Sequence, residues 1–392
     1  MESVVSEINK VRDVEQKKAL NAWARNNYVG SIIAGTGFGK SRCAVLAVDY
    51  ILKQKSRSNK KYALILVPTV QLQNQFMDEF DKWGVSSDNV EVLCYQSAYK
   101  LIGHHYDIVV CDEVHLGLSP QYRKFFEHNV YDSLLCMTAT LPEEQEYKEL
   151  LKDLAPTIYR ISLDECVAKG IVAPYNIYCK ALSLTPAEKD EYKKINNSFV
   201  YYKYQLGQFN AFDEAKRIMG DKNAHPADKK SAVLFYRAIR ERKKIVDFAA
   251  NKVAVFQQLV FDNMDSKILA FSGANDFTDE LCASVDPLSA TYHSKKTKKQ
   301  REKALEDFKT GAINVLCSTK ALNQGLDIPD ANMGIMCGIT SKALPMIQRV
   351  GRLIRFQEDK IGEIYILYVK DSQEEKWLKN ATRTLNNVNW II

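Results

Sequence analysis

The chain has 392 residues, of which 46% are hydrophobic and 26% are charged, and its net charge is +6. This length exceeds what one hydrophobic core usually serves, so we expect about two domains. The composition is ordinary for a soluble globular protein. The small positive charge is compatible with a nucleic-acid partner but does not indicate one by itself.

Cysteine spacing and hydropathy exclude several classes. The nine cysteines include no C-x-x-C pair, so neither a zinc site nor a disulfide framework is expected. No apolar run approaches the ~18 residues that a membrane span needs, and the first ten residues hold no apolar signal core. We therefore expect a soluble, cytoplasmic protein with no membrane partner.

A glycine-rich stretch follows a predicted helix over residues 12–27 and an apolar run over 29–33. It reads A-G-T-G-F-G-K-S over 34–41 and leads into a helix-forming stretch. Glycines let backbone N–H groups converge on an anion, and the helix N-terminus adds unsatisfied donors. The pattern predicts a phosphate loop for ATP, with a lysine on the β- and γ-phosphates and a serine on Mg²⁺. The predicted ligands are Gly37, Gly39, Lys40 and Ser41.

Apolar runs recur after this loop, separated by amphipathic or polar stretches. Such runs, alternating with helices, are typical of a parallel sheet covered on both faces. The predicted strands are residues 62–67, 90–95, 107–111 and 133–137.

Asp112 and Glu113 directly follow the third of these strands. The carboxyl ends of parallel strands are where ligands bind. Asp112 is predicted to hold Mg²⁺, and Glu113 to orient or deprotonate the water that attacks the γ-phosphate. A solvated acidic loop is the alternative, and the phosphate loop upstream favours the catalytic interpretation.

Residues 181–262 form a predicted helical insert that is poor in glycine and rich in aromatic residues. Thr185, Pro186 and Glu188 match a helix start, with an N-cap threonine and a glutamate three residues later. Basic residues in the insert are predicted to bind nucleic acid while its aromatic rings stack on bases. The alternative is that the rings are packed helix faces. The predicted basic contacts are Arg240, Arg242 and Lys243.

A second set of apolar strands predicts a second α/β lobe over 263–392, after a first lobe over 1–180. A basic run over 295–303 either binds phosphates or forms a solvated loop. The last dozen residues are asparagine-rich and predict a loosely attached tail, although Trp390 could dock. The predicted strands are 267–271, 290–292, 313–317, 333–337 and 363–369.

Two arginines, Arg352 and Arg355, are three residues apart and would share one helix face. Guanidinium groups are planar, permanent donors suited to phosphate, so the pair could act as arginine fingers on ATP. Surface arginines on an amphipathic helix are the alternative.

Over nearly its whole length the chain resembles the superfamily 2 helicases and nucleic-acid translocases. The resemblance rests on the order and spacing of several motifs. These are V-P-T at 67–69, Y-Q-S-A at 95–98, D-E-V-H at 112–115, T-A-T at 138–140, S-T-K at 318–320, G-L-D-I-P at 325–329 and Q-R-V-G-R-L-I-R at 348–355.

The resemblance implies an α/β fold of two RecA-like parallel-sheet lobes in tandem, with ATP and Mg²⁺ in the cleft between them. One departure concerns the adenine-binding segment, where Glu15 replaces the usual aromatic residue and Arg12 is displaced by one position. The implied nucleotide contacts are Gln16, Gly325, Asp327 and Gln348. The implied nucleic-acid contacts are Thr69, Gln96, Ser97 and Thr319, and the implied coupling residues are His115, Thr138 and Thr140.

Within the family, the motifs look most like the branch that includes UvsW, RecG and XPB. By analogy we expect a monomeric bacterial or phage helicase that remodels single-stranded, forked or branched DNA during recombination, replication or repair, without sequence preference. An RNA helicase and the duplex-translocating motor of a restriction system are alternatives. A non-enzymatic nucleic-acid-binding module would predict a broken Lys40, Glu113 or Arg355, and all three are intact.

Overall fold

The computed structural model describes residues 2–35, 37–54, 62–139, 141–142, 144–172, 175–319, 331–339, 361–383, 385 and 387–391. The chain divides into two compact units. The first is formed mainly by the described residues up to 176, and the second mainly by 177–319, 333–339 and 363–391. Each unit is an α/β fold with its own sheet, which confirms the predicted pair of RecA-like lobes.

The first unit alternates strands and helices. Its elements are α1 (Glu2–Arg25), β1 (Val29–Ala34), α2 (Lys40–Lys53), β2 (Ala63–Val67), α3 (Val70–Lys82), β3 (Val90–Cys94), α4 (Tyr95–Ala98), β4 (His105–Asp112), a 3-10 turn (Val114–Leu116), α5 (Lys124–His128), β5 (Val130–Thr138), α6 (Gln145–Leu154), β6 (Thr157–Ile161) and α7 (Leu163–Ala168). The strand order is β3-β2-β4-β5-β1-β6, and every pairing is parallel.

The central strands of this sheet are buried on both faces, which explains their continuous apolar sequences. Every residue of β2 is buried, as is the C-terminal half of β5. The register places Ile33 of β1 beside Thr138 of β5, and Asp112 of β4 beside Met137. The glycine-rich stretch, the acidic pair and Thr138 therefore meet at one edge of the sheet.

The second unit follows the same plan with a helical insertion. Its elements are β7 (Tyr175–Leu182), α8 (Pro186–Gln205), α9 (Ala211–Gly220), α10 (Pro226–Asp247), α11 (Ala250–Phe261), β8 (Ile268–Phe271), α12 (Asn275–Ser284), β9 (Ser289–Tyr292), α13 (Lys298–Thr310), β10 (Val315–Ser318), β11 (Met333–Met336), β12 (Gly362–Val369), α14 (Gln373–Thr382) and β13 (Val388–Ile391). The strand order is β13-β7-β12-β11-β8-β10-β9.

The insert is helical, as predicted, and α8 begins with the expected capping box between Thr185 and Glu188. Helices α8, α9 and α10 share a small core around Leu206, Ile218 and Phe235. Helix α11 instead packs into the core of the second sheet through Phe256 and its neighbours. The division between the two compact units falls after residue 176, four residues before the predicted division at 180, and the predicted insert boundary at 262 stays a prediction.

Three strands were not expected from the sequence: β6, β7 and β13. Strand β13 pairs in parallel with β7 at the edge of the second sheet, with Val388 beside Ile177. The ring of Trp390 lies edge-on to Tyr368, with 5.5 Å between centroids. The described part of the tail is therefore docked, so the loosely attached alternative is wrong for these residues.

Two further observations concern the helices and the cysteines. No described helix combines the length and the apolar character required to cross a bilayer. All nine cysteines are free thiols, and eight of them are buried.

Candidate nucleotide and nucleic-acid sites

The glycine-rich stretch connects β1 to α2, and its backbone requires glycine. Gly37 and Gly39 have φ of 88° and 86°, a region that side chains disfavour. A Cβ on Gly37 would lie 2.7 Å from Val172 Cγ2, and a Cβ on Gly39 would collide with the Gln16 amide. The loop can therefore keep this shape only with glycine at both positions.

Lys40 and Ser41 occupy the first turn of α2, where backbone N–H groups are unsatisfied and the helix dipole is positive. The Lys40 ammonium points back into the loop and donates to Ala34 O at 2.9 Å. The structure thus places a lysine, a hydroxyl and a helix N-terminus together, which is an arrangement suited to a polyphosphate.

Gln16 lies against this loop from α1 and is only 2% exposed. Its Nε2 donates to Phe38 O at 2.8 Å and to Gly39 O at 3.2 Å, and its Oε1 accepts from Arg42 Nη1 at 2.9 Å. Arg12, one turn earlier on α1, donates to Ile171 O at 3.0 Å. The predicted adenine-binding segment therefore borders the phosphate loop.

The acidic pair stands at the carboxyl end of β4. Glu113 adopts a left-handed backbone with φ of 49°, which turns the chain into the 3-10 turn. Burial raises the pKa of Asp112 to about 7, and the neighbouring charge of Glu113 adds to the effect while Lys40 opposes it. Two adjoining, partly buried carboxyl groups at the end of a strand are suited to a bound cation.

Glu113 is held by the end of β5. Thr138 Oγ1 donates to Glu113 Oε2 at 3.0 Å. His115 Nδ1 lies 3.2 Å from the same hydroxyl and 3.4 Å from Glu113 Oε2. The structure thus brings together two of the three predicted coupling residues, His115 and Thr138, and the predicted general base, Glu113.

Tyr95 was missed by sequence reasoning, although it lies inside a recognised motif. Its hydroxyl donates to Asp112 O at 2.9 Å, and its ring is buried. Gln96 and Ser97 come next in α4 and are exposed. Thr69 is the N-cap of α3, and its Oγ1 is buried without a hydrogen-bond partner in the described part of the chain. These predicted strand contacts all belong to the first unit.

The predicted contacts of the second unit have different environments. Thr319 follows β10, is 7% exposed and donates from its hydroxyl to Asn275 Oδ1 at 3.0 Å. Arg240 is exposed on α10. Lys243 forms an ion pair with Asp247 on the same helix.

The Arg242 side chain is buried and already has partners within the second unit. It is 8% exposed, its guanidinium lies 4.1 Å from the centre of the Phe199 ring, and it donates to Gln373 Oε1 at 3.0 Å. A buried arginine that binds a ring and an amide packs the insert against α14, so it is not placed for a phosphate contact.

The first part of the basic run over 295–303 is paired with acids of its own unit. Lys295 lies 2.7 Å from Asp276, and Lys296 lies 2.9 Å from Asp279. These pairs favour the solvated-loop alternative for the first part of the run.

Several predicted residues lie outside the described residues. They are Thr140, Gly325, Asp327, Gln348, Arg352 and Arg355. Among the side chains that the structure does describe, no group of three or more His, Cys, Asp or Glu residues could hold a metal ion.

Two family models match the chain. The DEAD/DEAH box helicase model matches residues 13–101, and the helicase conserved C-terminal domain matches residues 251–357. The two matches fall on the two α/β units in the order that a tandem helicase requires.

Two similar proteins illustrate the range of relatives. The chain is 27% identical over 366 residues to the DNA 3'-5' translocase XPB2 of Sulfurisphaera tokodaii, covering 88% of this chain and 78% of that relative. It is 23% identical over 323 residues to the ATP-dependent rRNA helicase RRP3 of Meyerozyma guilliermondii, covering 82% of this chain and 61% of that relative.

A solved structure agrees on the fold. The Hef helicase domain of Pyrococcus furiosus superposes with a TM-score of 0.58 at 16% identity, covering 94% of this chain and 99% of that domain. The two family matches and the helicase relatives support a nucleic-acid-dependent ATPase of the superfamily 2 helicase type.

Proposed function

We propose that this chain is a DNA translocase that uses ATP hydrolysis to unwind or remodel branched DNA such as forks and junctions. The observation that carries the proposal is the shared sheet edge, where the phosphate loop with Lys40 follows β1 and the Asp112–Glu113 pair follows β4. The choice of DNA is supported by the translocase relative, which is matched over 78% of its length. The name of that relative also gives the expected polarity, 3' to 5'.

Each residue of this edge has a proposed task. Lys40 binds the β- and γ-phosphates, and Glu113 orients the attacking water and accepts its proton. The Thr138 hydroxyl fixes the Glu113 carboxylate through their 3.0 Å hydrogen bond. Arg352 and Arg355 are proposed to donate to the same phosphates.

The residues present fit a magnesium ion brought in with ATP. Ser41 offers a hydroxyl and Asp112 a carboxylate, both hard oxygen ligands of the kind that Mg²⁺ prefers. The ion would neutralise charge on the phosphates, and a cation beside Asp112 would stabilise its ionised form. We propose Ser41 and Asp112 as its protein ligands.

The proposed strand contacts are polar and do not select a sequence. Thr69, Gln96, Ser97 and Thr319 offer hydroxyl, amide and main-chain groups to the phosphate backbone. The hydrogen bond from Tyr95 to Asp112 O is a direct physical link between the proposed strand contacts on α4 and the acidic pair. If α4 moves when a strand binds, the Tyr95 hydrogen bond would therefore shift the backbone at Asp112.

The insert is proposed to add a second nucleic-acid contact. Tyr204 in the last turn of α8 is 72% exposed, Phe209 in the connection to α9 is 92% exposed, and Arg240 is exposed on α10. Exposed aromatic rings are a common platform for unpaired bases, and positive charge attracts the backbone. Lys243 is a weaker candidate because Asp247 already pairs with it.

An RNA helicase is the second candidate, because an rRNA helicase is among the relatives. The test is steady-state ATPase with single strands, duplex, forks, four-way junctions and RNA, together with strand displacement on the same substrates. We expect the largest stimulation with forks or junctions. Equal or greater stimulation by RNA would overturn the choice of DNA.

Two variants test the catalytic assignment in the same assay. Lys40→Ala and Glu113→Gln should each reduce turnover at least about a hundredfold, the lower end of what a positioned base contributes. Asp49→Asn, a carboxylate change elsewhere on α2, is the matched control and should retain activity. Turnover within a few-fold of wild type in either site variant would contradict the assignment.

A further inference from the structure

One face of α1 connects separate segments of the first unit. Arg12 donates to Ile171 O at 3.0 Å, and Gln16 donates to Phe38 O at 2.8 Å. Between them lies Glu15, at a position where the family usually has an aromatic residue. A carboxylate there must be stabilised by partners, because it is 5% exposed.

Glu15 is satisfied by three donors from three places. Its Oε1 accepts from Lys18 Nζ and from Lys169 Nζ, each at 2.8 Å. Its Oε2 accepts from the hydroxyl of Tyr159. Burial alone would raise the pKa of Glu15, but the hydrogen bonds from Lys169, Lys18 and Tyr159 outweigh it and lower the pKa to about 2. The carboxylate is therefore a charged junction between α1, β6 and the end of α7.

The segments held by this junction also pack on the phosphate loop. The Tyr159 ring lies 5.8 Å from the Phe38 ring. Val172, three residues after Lys169, has its Cγ2 2.7 Å from where a Cβ of Gly37 would be. The loop is thus enclosed by α1 on one side and by β6 and the 169–172 segment on others, and Glu15 joins all of them.

We propose that Glu15 is a positioning residue for nucleotide binding, which keeps Gln16 and the glycine loop in the shape that accepts the phosphates. The inference rests on the proposed function, namely that this loop binds ATP. Glu15 does not touch the phosphates in this scheme. It acts through Gln16, through Tyr159 and Phe38, and through the 169–172 segment.

The expected signature is a change in affinity without a change in chemistry. If the junction is broken, the loop spends only part of its time in the binding shape, and the apparent Kd rises in inverse proportion to that fraction. Turnover at saturating ATP still depends on Glu113 and Lys40, which the junction does not contact. KM for ATP should therefore rise while kcat is retained.

The experiment measures fluorescent ADP binding and ATPase kinetics for the full chain and its variants. Glu15→Gln should raise both Kd and KM about tenfold, and Tyr159→Phe, which keeps the ring, about threefold, with kcat within about twofold. Lys169→Met should resemble Glu15→Gln, and Lys169→Arg should restore affinity. Asp49→Asn removes a carboxylate that pairs with Lys53 on α2 and should change neither constant.

The outcomes separate this inference from the proposed function. Wild-type protein that binds no nucleotide would overturn the proposed function itself. Wild-type binding and turnover with unchanged KM in Tyr159→Phe and Lys169→Met would overturn the positioning role, as would a loss confined to kcat. Tyr159→Phe and Lys169→Met keep the inference testable if Glu15→Gln does not fold, which circular dichroism would report.

Discussion

The carboxyl edges of the two sheets use buried charge in opposite ways. At the first edge, Asp112 and Glu113 stand side by side, and burial with the neighbouring charge raises the pKa of Asp112 to about 7. At the second, Lys252 and Glu374 are 0% and 1% exposed and form an ion pair at 2.8 Å. One edge concentrates negative charge, and the other neutralises it internally.

The partners of the second pair show what it holds together. Lys252 also donates to Cys337 O at 3.0 Å, just after β11, and Glu374 accepts from Val369 N at the end of β12. The pair therefore ties α11 and α14 to two strand ends. The same architecture thus leaves the acidic pair of the first unit free to bind an added cation. In the second unit it forms a buried ion pair with a structural role.

The largest expected effect comes from breaking the Lys252–Glu374 ion pair. Lys252→Met should lower the free energy of unfolding by about 3–5 kcal/mol, because Glu374 is left buried and unpaired. Adding Glu374→Gln should recover much of that loss. Urea titration measures both, and Lys379→Met in an exposed pair is the control. A loss under about 1 kcal/mol in the single variant would contradict the structural role.

The next effect concerns acid stability of the first unit. The pKa of Glu15 is lowered from 4.5 to about 2, so its contribution is present above pH 4.5 and is lost as pH falls towards 2. The pH-dependent contribution of Glu15 to the free energy of unfolding is at most about 3 kcal/mol. Urea titrations between pH 2 and 7 should give a gap between wild type and Glu15→Gln that closes on acidification. A gap that stays constant with pH would argue against the lowered pKa.

A smaller effect is expected from the hydroxyl that holds Glu113. Thr138→Val should reduce kcat about tenfold, because a hydrogen bond to a charged group is lost without a change of shape. Nucleotide affinity should be retained, since Thr138 is not among the proposed phosphate contacts. Ser133→Ala, on the same strand, is the control. Unchanged kcat would remove Thr138 from the catalytic edge.

The smallest effects distinguish two neighbouring arginines of the insert. Arg240→Ala should weaken DNA binding and reduce its salt dependence by about one phosphate contact, with unchanged stability. Arg242→Ala should destabilise the protein by about 1–2 kcal/mol through loss of the Phe199 and Gln373 contacts, with an unchanged salt slope. Salt-dependent binding and urea titration of both variants provide the comparison, and exchanged results would refute it.

Local sequence patterns predicted the fold where the cause was local. The apolar strands, the glycine loop and the Thr185–Glu188 capping box are properties of short stretches, and the structure contains them. The acidic pair was placed correctly at a sheet edge because a strand preceded it.

Long-range contacts could not be predicted in this way. Glu15 contacts Tyr159 and Lys169, which are more than 140 residues away in the chain. No pattern in a single sequence predicts these contacts. Arg242 looked like part of an exposed basic run, yet its position on α10 faces Phe199 and α14. Tyr95 lies in the Y-Q-S-A motif, but its sequence context does not show that its hydroxyl binds the backbone at Asp112.

Strand β13 has a consequence for how the protein can be shortened. By pairing with Ile177–Lys180, it covers backbone groups of β7 that would otherwise form an open sheet edge. Removing residues 387–391 would expose that edge to strands of other molecules, since unpaired edges promote association. The expected failure of such a truncated protein is concentration-dependent aggregation, with the nucleotide site of the first unit still folded.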